Sequence, residues 1–273
     1  MTPRVVALAL ALLAPIACSG PAKEPEPPPP AAELTSPDVL ALEGTPGSTP
    51  AFSDAIEPPP AAAPDLGGAP GPSPAYGPVN APVRVYVLTD FQCPVCRRIV
   101  EPIKYLARRY PADVRIVLKH NALATHGRAA TTAAASIAAS RQGKFWAYYD
   151  RLFANQGPFD DETLVTQAQA LGLDAERFKK DLADPAVAAQ VKYESALATA
   201  VELQSTPSFI VNGSTQTGWG SYLGIKSIVD RELTRAKQIA ASGTPPERVA
   251  YEATRQSGPK GEQFAAMLFP EPK

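Results

Sequence analysis

Residues 83–89, rich in valine and tyrosine with little polarity, run within three residues into Cys93-Pro94-Val95-Cys96. Such a segment reads as a strand buried on both faces of a central sheet. A helix is expected directly after Gln92. Pro94 suits its first turn, and Val95, Ile99, Ile103 and Leu106 recur at helical spacing as far as Tyr110. Pro102 lies inside that run and predicts a kink, because its ring and missing N–H disrupt the bond to residue 98. Residues 114–119 read as a second strand. A strand, helix and strand of this length join by a right-handed crossover, which makes the strands parallel. The chain is thereby restricted to an α/β sheet, with both cysteines at a strand-to-helix junction.

From 126 to 205 the pattern is helical. Residues 129–142 are alanine-rich, and Phe145, Trp146, Tyr149, Leu152 and Phe153 mark an apolar face that reads as core and as the lining of a shallow groove. Asp160 is placed to cap a helix ending near Gly172, Asp174 a short helix, and Asp184-Pro185 a longer one reaching about Gln204. Residues 208–211 form a short strand. Asn212-Gly213 then signals a tight hairpin into 215–217. A last long helix covers 222–241 and stops before Gly243; 244–256 reads as one more helix and the remainder as loose chain.

The first part of the 273-residue chain has a different composition. Residues 19–78 hold 17 of the 31 prolines, including the runs 27–30 and 58–60, and almost no aromatics. A stretch like this cannot bury enough apolar surface to offset its ordering entropy, so it reads as a disordered tether spanning on the order of 45 Å. Ahead of it, Arg4 precedes an apolar run over 5–16 that is too short to span a bilayer and has the form of a secretory signal. The run ends in Ala14-Pro15-Ile16-Ala17-Cys18-Ser19-Gly20, which resembles the lipobox of bacterial lipoproteins. The resemblance implies acylation of Cys18 and, with serine following, sorting to the outer membrane. Pro15 departs from the leucine usual there. A formal net charge of −1 with no basic block in the folded part disfavours nucleic acid as a partner.

The order of strand, Cys-x-x-Cys helix, strand, helical block, strand, hairpin and helix resembles the thioredoxin fold with the all-helical insertion of the DsbA-like thiol:disulfide oxidoreductases. The resemblance spans about 77–241. It is carried by Ala81-Pro82-Val83 leading into Asp90-Phe91-Gln92-Cys93-Pro94-Val95-Cys96, by Gln142-Gly143-Lys144-Phe145-Trp146, and by Ser205-Thr206-Pro207-Ser208-Phe209-Ile210-Val211-Asn212-Gly213. The expected organisation is a signal peptide (1–17), a lipidated cysteine with its linker (18–78), a thioredoxin domain (79–242) with its insertion at about 124–204, and a tail (243–273).

A cysteine at a helix N-terminus has its thiolate stabilised by unpaired N–H groups and the helix dipole. Cys93 is therefore the expected nucleophile, and Cys96, one turn on, the resolving thiol. A static disulfide here would close too small a loop to constrain the unfolded chain much. The resemblance further implies a cis Thr206-Pro207 bond beside the pair, with the Thr206 backbone contacting substrate. In the Pro94-Val95 dipeptide, Val95 offers no polar group where strong oxidants of the family carry histidine, so a less oxidising pair is expected. Val87 stands where thioredoxin-like proteins often have a buried carboxylate. Asp90, the nearest acid, reads as a strand-end or capping residue; Lys119 and His126 read as solvated.

The resemblance implies no cofactor beyond a redox-active Cys93–Cys96 disulfide. It also implies exported protein thiols or disulfides as substrates, a membrane redox partner that regenerates the pair, and a monomer held on the periplasmic side by its lipid anchor. Two rival readings stay open. Cys93, Cys96, His120 and His126 could form a zinc set, although the 23 residues between Cys96 and His120 exceed the usual finger spacing. A non-catalytic module handling copper or zinc is the second. The direction of electron flow is not written in these motifs.

Overall fold

The structure is a computed structural model that describes residues 71–269. Cys18, the signal segment and most of the proline-rich stretch lie outside the described residues. Strands β1 (Ala75–Tyr76), β2 (Val83–Thr89), β3 (Val114–His120), β4 (Ser208–Val211) and β5 (Ser214–Thr217) form one sheet in the order β1-β3-β2-β4-β5. β2 and β3 are parallel, as the crossover requires, and the remaining pairs are antiparallel. The folded part begins earlier than the expected boundary at 79. β1 pairs with the outer side of β3, and Leu118 N donates to the Pro74 carbonyl. Prolines are tolerated beside so short a strand because it lies at the sheet edge.

Alternation along the strands divides the core. Val83, Val85 and Val87 of β2, with Val114, Ile116 and Leu118 of β3 and Phe209 and Val211 of β4, face one side. That side packs against α1 (Pro94–Arg97), α2 (Val100–Arg109) and Ile225 and Val229 of α8 (Tyr222–Ala241). Tyr86, Leu88, Val117 and Ile210 face the other side. The single helix expected from 94 to 110 is two, because the chain breaks at Arg98 and Ile99 and not at Pro102 itself. Pro102 falls in the first turn of α2, where no N–H is needed, and the carbonyl it cannot bond is that of residue 98. The proline does interrupt the helix, one turn upstream.

Between β3 and β4 lie α3 (Ala129–Ser140), α4 (Phe145–Ala154), α5 (Asp161–Gln169), α6 (Ala175–Leu182) and α7 (Pro185–Ala200). The three expected caps are present. Asp160 accepts from Thr163 N at 2.7 Å, Asp174 from Arg177 N at 2.8 Å and Asp184 from Ala186 N at 2.8 Å, each contributing about 1 kcal/mol. The hairpin is also as expected, with Asn212 and Gly213 at φ of 43° and 88°. Asn212 does more than turn the chain. Its Oδ1 accepts from Arg84 N and its Nδ2 donates to the Pro82 carbonyl, prolonging the β2–β4 pairing.

The tail departs from expectation. α9 (Pro246–Arg255) is joined by α10 (Gly261–Leu268), and Ala250, Phe264, Leu268 and Phe269 cover the face of the sheet occupied by Tyr86 and Leu88. The Tyr86 hydroxyl donates to the Leu268 carbonyl at 2.8 Å. A Cβ at Gly213 would lie 2.0 Å from Ser257 Oγ, so the tail also closes over the hairpin. Local composition hides this role: eight residues with few strong periodic signals become a helix once a sheet face is available to cover.

A buried ionic cluster joins insertion to sheet. Glu194 on α7 is 0 % exposed. It accepts from His120 N at 2.8 Å and Ser73 Oγ at 2.7 Å, and its Oε2 lies 2.6 Å from His120 Nδ1. Lys119, read as solvated, is also 0 % exposed and donates to Ser73 Oγ at 2.5 Å. Its ammonium lies 5.9 Å from the centre of the Tyr86 ring, on the covered face of the sheet, and the hydroxyl it bonds comes from a residue far away in sequence. Burial works against the Glu194 charge, but His120 and Lys119 outweigh it and lower its pKa from 4.5 to about 2.

Two outcomes follow for stability. Phe264→Ala should destabilise the protein by about 3–5 kcal/mol in urea denaturation, whereas a loose tail would make it neutral. Glu194→Ala should cost about 3–5 kcal/mol at neutral pH. Because the folded pKa of Glu194 is depressed, its contribution is complete above 4.5 and is lost as pH falls through about 2. Denaturation midpoints measured across that window should fall more steeply in the wild type than in the variant.

Candidate active site

β2 ends at Thr89, and the carboxylate of Asp90 orders the turn that follows. Asp90 is 3 % exposed. Its Oδ1 accepts from Gln92 N at 2.8 Å, its Oδ2 accepts from Leu123 N at 3.0 Å and lies 2.9 Å from His126 Nδ1, and its carbonyl accepts from Cys93 N at 3.1 Å. Asp90 is thus the strand-end residue that was expected, and the cap position of α1 belongs to Cys93. His126, expected to be solvated, is instead held by this carboxylate. Nothing in its local sequence announces a partner 36 residues away.

Cys93 sits at the N-cap, exposed Pro94 and half-buried Val95 follow, and Cys96 is fully buried one turn on. Both thiols are free. The Cys93 thiol donates to the Thr206 carbonyl at 3.5 Å, and the Thr206-Pro207 bond is cis, with Pro207 buried and Thr206 partly exposed. The structure therefore brings Cys93, Cys96, Thr206 and Pro207 together from elements more than 100 residues apart.

The two sulfurs are unequal. A hydrogen bond from the Cys96 thiol outweighs burial and, with the Thr206 hydroxyl and the N–H groups of Cys96 and Val95, lowers the Cys93 thiol from 9.0 to about 5. Burial pushes Cys96 far above its ordinary value, and the hydrogen bond to Cys93 adds to that rise. Of the two sulfurs, Cys93 is therefore the one that ionises first, and Cys96 holds its proton more tightly. This arrangement suits attack by the first sulfur and resolution by the second.

Among the supporting residues, Gln156, Asn121 and Arg128 were not evident from motif or periodicity. Gln156, between α4 and α5, donates through Nε2 to the Phe91 carbonyl at 2.8 Å and the Cys93 carbonyl at 3.0 Å. Gln92 Oε1 accepts from Arg128 N at 2.5 Å. Asn121 donates to the carbonyls of Leu203 and Gln204, steadying the approach to Thr206, and its own N–H donates to Thr89. Phe145, Trp146 and Tyr149 form a buried aromatic cluster with Phe153 and Phe91, the last being the residue between Asp90 and Gln92. The zinc set is not assembled. His120 engages Glu194 and, at 2.8 Å, Ser136, while His126 engages Asp90; among the described residues no three His, Cys, Asp or Glu side chains group to hold a metal.

A family model described as thioredoxin matches residues 70–231. A thioredoxin-like oxidoreductase from Silicibacter pomeroyi DSS-3 is 29 % identical, with a TM-score of 0.54 over 58 % of this chain and 91 % of its own. Oxidised BdbD from Bacillus subtilis is 25 % identical, with a TM-score of 0.53 over 62 % of this chain and 98 % of its own. Among curated proteins, the Na(+)/H(+) antiporter NhaA of Herminiimonas arsenicoxydans is 33 % identical over 165 residues, which are 60 % of this chain and 26 % of the antiporter. The chain spans about a quarter of the length of such relatives, and no helix among the described residues is long and apolar enough to cross a membrane. On its fold, its matched residues and its cysteine junction, the chain belongs to the thioredoxin family, with the helical insertion of the DsbA-like thiol:disulfide oxidoreductases.

Proposed function

We propose that this protein is a thiol:disulfide oxidoreductase acting on exported proteins through Cys93 and Cys96. The observation that carries this reading is the lowered Cys93 thiol at the start of α1, hydrogen-bonded to Thr206 beside the cis Pro207. Cys93 forms the mixed disulfide, Cys96 resolves it, and the backbone of Thr206 receives the substrate chain. The exchange needs no cofactor besides the Cys93–Cys96 disulfide. In this reading Cys18 is acylated and holds a monomer on the periplasmic side of the envelope, at the outer membrane, where a membrane redox partner regenerates the pair.

The thiolate also bears on redox poise. A stabilised thiolate favours the dithiol, so the disulfide form accepts electrons from substrate thiols, the oxidase direction. Val95 supplies none of this stabilisation through its side chain. The hydrogen bonds come from the neighbouring thiol, the helix-start N–H groups and Thr206.

Cys93→Ser should abolish insulin reduction and thiol oxidation with folding intact, and iodoacetamide alkylation of wild-type Cys93 should titrate with a midpoint near 5. A midpoint near 9 would remove the support for the nucleophile. Equilibration with glutathione should place the potential between about −270 mV, as in thioredoxin, and about −120 mV, as in DsbA. A value at the DsbA end would show that the absence of a polar group at Val95 does not matter.

A further inference from the structure

Thr89, the last residue of β2, is 1 % exposed, and its hydroxyl is buried without a hydrogen-bond partner in the chain. An unpaired buried hydroxyl is destabilising, and valine has nearly the same shape without that penalty. Alternation along β2 puts residue 89 on the face of Val83, Val85 and Val87, the face that packs against Cys93, Cys96 and Ile99. Three of the four positions on that face are valine. The fourth, nearest the cysteines in sequence, carries the one hydroxyl among them.

The neighbouring sulfur is that of Cys96. Its thiol is raised by burial and by Cys93, and the Thr89 hydroxyl and the Asp90 backbone act in the opposite sense. Val87 offers no carboxylate to share this task, and Asp90 spends both carboxylate oxygens on Gln92, Leu123 and His126. The resolving thiol must nevertheless carry negative charge at the moment it reacts.

We propose that Thr89 Oγ1 donates a hydrogen bond to the Cys96 sulfur during disulfide exchange, an inference that rests on the oxidoreductase reading above. In the reductive direction, Cys96 attacks the Cys93 sulfur of a Cys93–substrate disulfide. The Cys93–Cys96 bond forms, the bond to the substrate sulfur breaks, and the substrate leaves as a thiol carrying the proton that Cys96 gives up. The two cysteines are oxidised by giving up the two electrons that the substrate disulfide gains. In the oxidative direction a substrate thiolate attacks Cys93, and Cys96 is the leaving group. The same hydroxyl stabilises the departing sulfur, because both directions share one transition state. That use accounts for a hydroxyl on an otherwise valine face.

The test compares Thr89→Val and Thr89→Ser with the wild-type protein, following glutathione release from the Cys93 mixed disulfide in a stopped-flow experiment. Thr89→Val should slow release roughly ten- to a hundredfold while the alkylation rate of Cys93 and the denaturation midpoint are maintained or improved. Thr89→Ser should restore the rate. Release at the wild-type rate in Thr89→Val overturns the inference, as does a Thr89→Ser variant as slow as Thr89→Val, which would mean shape matters and the hydroxyl does not. If the wild type itself shows no exchange dependent on Cys93, the oxidoreductase reading falls and takes this inference with it; wild-type exchange with an indifferent Thr89→Val removes this inference alone.

Discussion

The carboxylate of Glu194 is where three separately built pieces of the molecule meet. It comes from α7 and takes hydrogen bonds from the end of β3 and from Ser73 ahead of β1. One residue further along, the Ser195 hydroxyl accepts from Ala122 N. Next to His120, Asn121 holds the carbonyls of Leu203 and Gln204, from which the chain continues to Thr206 and Pro207. The end of β3 therefore fixes both the insertion and the loop opposite Cys93. Buried ion pairs contribute little net stability against apolar packing, and their best-attested use is to fix register. Here the register concerned is that of a helical insertion on a sheet, which determines whether Thr206 reaches the sulfur.

Much of this architecture was legible from local signals. The β2 strand, the start of α1, the aspartate caps and the Asn212-Gly213 turn each depend on residues within a few positions of one another, and period and capping chemistry express that directly. Lys119, His126 and the tail were misread for the opposite reason. Lys119 is buried because Ser73 and Glu194 come to it, and His126, itself partly exposed, is held because Asp90 does. α10 is ordered by a sheet face built almost 200 residues earlier. A charged residue in a strand looks the same in sequence whether its partner is water or a carboxylate on another helix.

At the redox pair, residue identity explains less than position does. Val95 lacks the polar group that strong oxidants of the family carry, and the expectation of a less oxidising pair followed from that one side chain. The groups that stabilise Cys93 are first the Cys96 thiol, then a threonine from a distant loop, and last the backbone N–H donors at the helix start. A threonine brought in from more than 100 residues away and backbone donors carry no local sequence signature, so this cysteine's acidity is set by what surrounds it more than by the two residues that follow it.

The bond pair made by Gln156 has a broader consequence. Its amide belongs to the insertion yet grips the carbonyl of the nucleophilic residue itself, together with that of Phe91. The insertion and Cys93 are thereby tied through a single side chain. A change that moves this lobe, or that removes the Gln156 amide, therefore acts also on the backbone that carries the Cys93 sulfur.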